Sequence, residues 1–213
     1  MPYHLFRIIL YCLARLLFSY RTVGGENIPR KGTFLLASNH ASYLDPPLVG
    51  IGTSRPITYL AKRELFRNPL IDLFLRKLCY CIPVDRDKLD RKTFKEILAV
   101  LKKDSKLMII FPEGTRSPDG RLQEPKIGAG MIVYLAKVPV IPVYVKGSYA
   151  IWSKGTKSIK SIKLRPCTVY FGKPMEFMDC FSKGHSRDVY LEISRRIMEA
   201  IAQLERGSNA LSC

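Results

Sequence analysis

His40 and Asp45 stand five residues apart in Asn39-His40-Ala41-Ser42-Tyr43-Leu44-Asp45-Pro46-Pro47, at the end of a hydrophobic run. Asp45 followed by Pro46 reads as an N-cap and first helical position, so the chain turns here from strand to helix. Across such a turn the two side chains can fold back toward each other. An aspartate accepting from one imidazole nitrogen fixes the tautomer and leaves the other nitrogen free as a general base. That is two members of a hydrolase triad without a protein nucleophile, so the nucleophile would belong to the substrate. Taken alone, the pair favours a plainer role: a histidine satisfied in its loop beside a capping aspartate.

A second constellation changes the balance. Phe111-Pro112-Glu113-Gly114-Thr115-Arg116-Ser117 follows the apolar run Leu107–Phe111. Gly114 allows close backbone approach, Thr115 offers a hydroxyl and Arg116 a planar fork for a phosphate. The sequence contains no G-x-x-x-x-G-K-[ST] phosphate loop, no G-x-S-x-G elbow and no H-E-x-x-H. Gly128-Ala129-Gly130 lacks the third glycine of a dinucleotide fingerprint.

These elements need a scaffold. Apolar, β-branched runs predict strands at 33–38, 57–62, 79–84, 107–111, 138–145 and 168–171. Helical periodicity predicts helices at 65–77, 91–103, 126–137 and 187–206. Alternating strands and helices imply an α/β domain with a mixed, largely buried sheet flanked by helices. Pro139 and Pro142 in one strand imply an edge or a bulge there.

Residues 1–20 are the compositional outlier, almost entirely apolar but interrupted by Arg7 and Arg15. At about 100° per residue, His4, Arg7, Tyr11 and Arg15 share a narrow stripe on an otherwise apolar helix. Such a helix suits a bilayer interface, its arginines reaching headgroups, better than a helix packed on its own domain, a span or a signal peptide. The expected division is a membrane-associating helix at 1–22 and one catalytic domain at 23–213. The six cysteines show no zinc-ligand spacing and read as reduced.

The 35 Lys+Arg against 18 Asp+Glu give a net charge of +17 and call for an anionic partner. Nucleic acid is one candidate, through the basic stretch from Lys154 to Arg165. Only Trp152 stands near it as a stacking platform, and it matches no recognition module. The expected partners therefore exclude nucleic acid.

The whole pattern resembles the glycerolipid acyltransferase superfamily, specifically the bacterial 1-acylglycerol-3-phosphate acyltransferases, over roughly residues 24–173. Four blocks occur in order: Asn39-His40…Asp45, Lys62 to Val84-Asp85-Arg86, Phe111–Ser117, and Val138–Val143. The resemblance implies His40 as base, Asp45 as its orienter and Lys62 as a stabiliser of the reacting carbonyl. It implies a substrate-phosphate site from Arg86, Glu113, Gly114, Thr115 and Arg116. The implied reaction passes an acyl group from acyl-CoA or an acyl carrier protein thioester to lysophosphatidate, giving phosphatidate. It needs no metal or other cofactor and takes place on the phospholipid surface at the cytoplasmic face of the membrane. Another lysolipid, such as an amino-acid lipid, is the alternative acceptor.

Overall fold

The computed structural model describes residues 2–77, 79–84, 91–103, 105–153, 155–156 and 162–210. Seven strands form one sheet: β1 (Arg21–Val23), β2 (Phe34–Ser38), β3 (Ile57–Lys62), β4 (Cys81–Val84), β5 (Leu107–Ile110), β6 (Val140–Lys146) and β7 (Thr168–Phe171). Their order is β1-β7-β6-β2-β5-β3-β4. Strands β2 to β6 run parallel, whereas β7 is antiparallel to β6 and carries β1 parallel beside it. The sheet is mixed, as the alternating pattern implies.

Helices cover both faces: α1 (Pro2–Phe18), α2 (Asp45–Ile51), α3 (Pro69–Lys77), α4 (Arg91–Leu101), α5 (Ile127–Ala136), α6 (Ser148–Ile151), α7 (Met178–Phe181) and α8 (Arg187–Ala210). Successive strand residues face opposite ways, so Leu35, Ala37, Met108 and Val140 pack with Ile97, Val133, Ile197 and Ile201 of α4, α5 and α8. Leu36, Ile109, Ile141 and Val143 pack on the other face with Ala14 of α1 and Leu48 and Val49 of α2. Burial on both faces explains why these strands read as continuous apolar runs.

β6 is not an edge strand, because β7 and β2 flank it. The bulge is present instead: Tyr144 opposes Tyr170 but Val140 opposes Met175, so the partner chain spends one residue more. Pro142, with no N–H to offer, falls at that step, and its carbonyl accepts the Gly172 N–H at 2.8 Å.

The cationic stripe of α1 does not face outward as a unit. Arg7 turns inward, and its Nη1 donates to the Ile51 carbonyl at 3.2 Å. That carbonyl ends α2, where an unpaired acceptor and the negative end of a helix dipole favour a cation. Tyr11 also turns inward, edge-on to the buried Tyr20 at 5.6 Å. Arg15 is exposed, with Leu5, Ile8, Ile9, Leu13 and Leu16.

The helix expected at 65–77 breaks at Asn68. A 3₁₀ turn (Arg63–Arg67) precedes α3, and Asn68 Oδ1 caps it by accepting the Leu70 and Ile71 N–H groups at 3.0 and 3.3 Å. β1, which the boundary expected at 22/23 would divide, is a three-residue strand too short to leave a pattern.

Candidate active site

The predicted residues that the structure describes gather at the carboxyl ends of the parallel strands, where an open α/β sheet leaves a crevice. His40 follows β2, Lys62 ends β3, and the Phe111–Ser117 loop follows β5. In the β2–β5 register Phe34 opposes Leu107 and Ala37 opposes Ile110. Continued three residues further, the same register sets His40 opposite Glu113. There the His40 N–H donates to Glu113 Oε1 at 2.9 Å, and the Ser117 N–H donates to the His40 carbonyl at 2.7 Å. The two loops are thus joined by main chain and side chain together.

His40 Nδ1 lies 2.9 Å from Asp45 Oδ2, and both residues are buried. The same carboxylate oxygen accepts the Ala41 and Ser42 N–H groups, each at 2.7 Å. Asp45 is therefore not the helix cap expected from the sequence, since it makes no capping bond to α2. Its carboxylate instead closes the loop back on His40. The imidazole stacks on Phe111 at 4.0 Å between centroids, which fixes its plane. Asn39 holds the base of the loop by extending the sheet with its amide. It accepts the Val145 N–H at 2.7 Å and donates to the Val145 carbonyl at 3.2 Å.

A cleft of about 430 Å³ opens beside this loop. His40, Lys62, Arg116 and Tyr43 line one part of it; Tyr59, Leu60, Cys79 and Cys81 line a more apolar part. Burial raises the thiols of Cys79 and Cys81, the latter to about 12, so both stay protonated and neither serves as a thiolate nucleophile. Arg116 is half-buried and lies over the Tyr43 ring at 3.4 Å. Its Nη1 is buried with no hydrogen-bond partner among the described residues. A permanently charged fork without a carboxylate suits an anionic ligand.

Gly114 takes φ +68°, a left-handed turn that a side chain would strain, and Gly114 and Thr115 are exposed on the loop tip. Glu113 departs from the phosphate-site expectation. It is buried and does not line the cleft; its Oε1 accepts the His40 backbone N–H. Burial, with Asp45 nearby, lifts its carboxyl to about 7 against the opposing His40 N–H bond. Arg86 lies outside the described residues, as do Lys154 and 157–161 of the basic stretch.

Sequence reasoning missed Tyr43 and the cleft-lining face of α1, which brings Tyr3, Phe6, Arg7 and Leu10 to the site. The i, i+3, i+4, i+7 spacing of those four was a usable signal for an inward face. Asp179, Cys180 and Glu192 could together reach one metal ion. Asp179 is paired with Arg196 at 2.7 Å and Glu192 with Lys183 at 2.8 Å, so the cluster reads as ion pairs.

A buried His–Asp pair beside a cationic cleft on a mixed α/β sheet can take a proton from a hydroxyl group held there. A family profile described as Acyltransferase matches residues 20–146, from the end of α1 to the end of β6. The chain belongs to this acyltransferase family. It is 31% identical over 188 residues to a 1-acyl-sn-glycerol-3-phosphate acyltransferase of Bacillus subtilis, covering 87% of this chain and 88% of that one. A Streptococcus pneumoniae protein of the same name is 29% identical over 156 residues, 72% of this chain and 54% of its own. The crystal structure of the 1-acyl-sn-glycerophosphate acyltransferase PlsC from Thermotoga maritima superposes with a TM-score of 0.69 at 28% identity. That match covers 87% of this chain and 72% of the other.

Proposed function

We propose that the chain transfers a fatty acyl group from a thioester to the 2-hydroxyl of 1-acylglycerol-3-phosphate, giving phosphatidate. The observation that carries this reading is the His40–Asp45 pair beside a cleft whose described lining offers a cationic fork and no activated nucleophile. With Nδ1 held by Asp45, Nε2 of His40 takes the hydroxyl proton as the oxygen attacks the thioester carbonyl. A tetrahedral oxyanion forms, and Asp45 stabilises the imidazolium. Collapse of the intermediate breaks the carbon–sulfur bond, and His40 returns its proton to the leaving thiolate. Lys62, on the same cleft, stabilises the oxyanion, a kind of term worth about 3–4 kcal/mol per donor.

Arg116, the Gly114 backbone, the Thr115 hydroxyl and Arg86 hold the phosphomonoester. Glu113 positions His40 rather than touching substrate. The apolar part of the cleft takes acyl chain. The thioester belongs to acyl-CoA or to acyl carrier protein, either of which is acidic and matches a +17 chain. Residues 1–22 associate the enzyme with the cytoplasmic face of the membrane. Among the described residues no helix is long and apolar enough to cross a membrane, which suits a helix lying in the interface.

The test is a matrix of both donors against lysophosphatidate, monoacylglycerol and an amino-acid lysolipid, with products identified by mass. Phosphatidate should be the dominant product. Equal or faster acylation of an acceptor lacking the phosphomonoester overturns the assignment.

A further inference from the structure

The helix α3 and the turn before it have no buried residue, yet Leu65, Leu70, Ile71, Leu73 and Phe74 are all exposed large hydrophobics. Leu70 is 78% exposed, close to the 82% of Leu16 on α1. A nine-residue helix is too short to persist on propensity alone, and no core face explains these side chains. They are not isolated from α1. Phe6 meets Phe74 edge-on at 5.9 Å, and Tyr3 meets Tyr80 at 5.7 Å. Both segments also border the catalytic cleft, α1 through Phe6 and Leu10, and the 63–77 segment through Leu65 and Leu75.

We propose that the 63–77 segment is a second lipid-contacting element which, with α1, seats the cleft directly on an anionic bilayer. The inference rests on the functional reading above and adds to it where the lipid meets the protein. Charge favours this occupant. Residues 63–77 carry four Lys/Arg against two acidic residues, and α1 contributes exposed Arg15 with no acidic residue. Basic groups around an apolar face suit negatively charged headgroups above an acyl boundary. The geometry also meets a need of the reaction, because an acceptor carrying a long acyl chain can pass from the bilayer to the cleft between these faces without exposing that chain to water.

The test compares hydrogen exchange of the full chain with and without vesicles of phosphatidylglycerol and phosphatidylcholine. Amides of both α1 and α3 should slow on the vesicles, and less so on phosphatidylcholine alone. Leu70→Glu with Leu73→Glu, two positions that do not line the cleft, should weaken vesicle partitioning by at least about tenfold. The same double variant should keep its turnover on a water-dispersed short-chain acceptor. Vesicle protection of α1 alone, or unchanged partitioning of the double variant, overturns the proposal. So does protection of α3 that appears on raising protein concentration without lipid, which would assign the face to a second copy of the chain. A wild type that binds vesicles through both helices but makes no phosphatidate sinks the functional reading and leaves this one standing.

Discussion

Arg116 lies over Tyr43, its guanidinium carbon 3.4 Å from the ring centroid, and Tyr43 in turn leans on Trp152 at 4.9 Å. The stack holds a long, rotamer-rich side chain in one direction before any ligand arrives, which lowers the entropy lost on binding. Losing a bidentate partner of a phosphate costs about 1.5–3 kcal/mol. Arg116→Ala should therefore raise the apparent acceptor constant roughly ten- to a hundredfold, with the donor constant little changed. Arg116→Lys should recover part of this, since the charge returns without the fork. Tyr43→Leu should cost less, up to about tenfold, because it removes the platform and not the charge. Monoacylglycerol is the control: its slow acylation should be indifferent to all three substitutions.

His40→Ala should lower turnover by about a hundred- to ten-thousand-fold while the fold persists, the range a positioned base supplies. Asp45 separates two roles that a single substitution would confuse. Asp45→Asn keeps an oxygen for the Ala41 and Ser42 N–H groups but removes the charge that stabilises the imidazolium, so kcat should fall with little change in melting temperature. Asp45→Ala strips both N–H groups of their buried acceptor, at about 1–3 kcal/mol each. Its melting temperature should drop as well. If His40→Ala retains more than about a tenth of the rate, the general-base role is wrong.

Much of this arrangement was legible in residue order, because His40, Lys62 and Arg116 all lie at or just beyond strand ends that apolar runs announce. What was hidden depended on packing between distant segments. Asp45 reads both as a helix cap and as the partner of His40, because spacing cannot tell a carboxylate that turns forward from one that turns back; the structure keeps only the second. Glu113 is expected at the phosphate site together with its neighbours; only the β2–β5 register reveals that it faces His40. Arg7 looked like a headgroup ligand until the end of α2 came within reach of it.

Glu113 predicts a pH dependence of stability. Its carboxyl is raised to about 7 in the folded protein, against about 4.3 unfolded. Between these values the folded state holds the proton that the unfolded state has released, so stability falls as pH rises through this window and levels off above it. At about 1.4 kcal/mol per pH unit the loss across the whole window approaches roughly 4 kcal/mol. Glu113→Gln keeps an acceptor for the His40 N–H and removes the titration. Denaturant unfolding should show the variant gaining on wild type by that amount between pH 4.5 and 8. Its acceptor constant should be unchanged; a rise like that of Arg116→Ala would return Glu113 to the phosphate site.

Gly130 tests the opposite face of the sheet. A Cβ there would stand 1.8 Å from the Tyr190 carbonyl oxygen, so α5 and α8 touch through backbone at this point. The Gly130 N–H donates to Ser194 Oγ at 2.8 Å, and that hydroxyl donates to the Lys126 carbonyl at 3.0 Å. Alanine gains about 1 kcal/mol in helix propensity. Overpacking against a backbone atom that cannot swing away costs about 1–3 kcal/mol and endangers both hydrogen bonds. The overpacking should win: Gly130→Ala should lower the unfolding midpoint without altering kcat at permissive temperature. A more stable variant would show that the helices separate freely.

Removing residues 1–18 separates an anchor from a wall. A helix that only tethers the enzyme could be deleted with loss of vesicle binding and no loss on acceptor dispersed in detergent. α1 does more than tether. Ala14 is part of the core beneath the sheet, Tyr11 packs on Tyr20, and Arg7 binds the end of α2. Tyr3, Phe6, Arg7 and Leu10 also form part of the cleft beside His40. The truncated protein should therefore melt several degrees lower, as the loss of even 1–2 kcal/mol produces in a domain of this size. It should also lose at least about tenfold in activity on dispersed acceptor, since one wall of the substrate cleft is gone. Leu13→Ser with Leu16→Ser, on the exposed face of α1, provides the contrast. That variant should bind vesicles more weakly while its melting temperature and its rate on dispersed acceptor stay near wild type. Full activity of the truncated chain on dispersed acceptor would show that α1 contributes membrane attachment alone, and that the cleft closes without it.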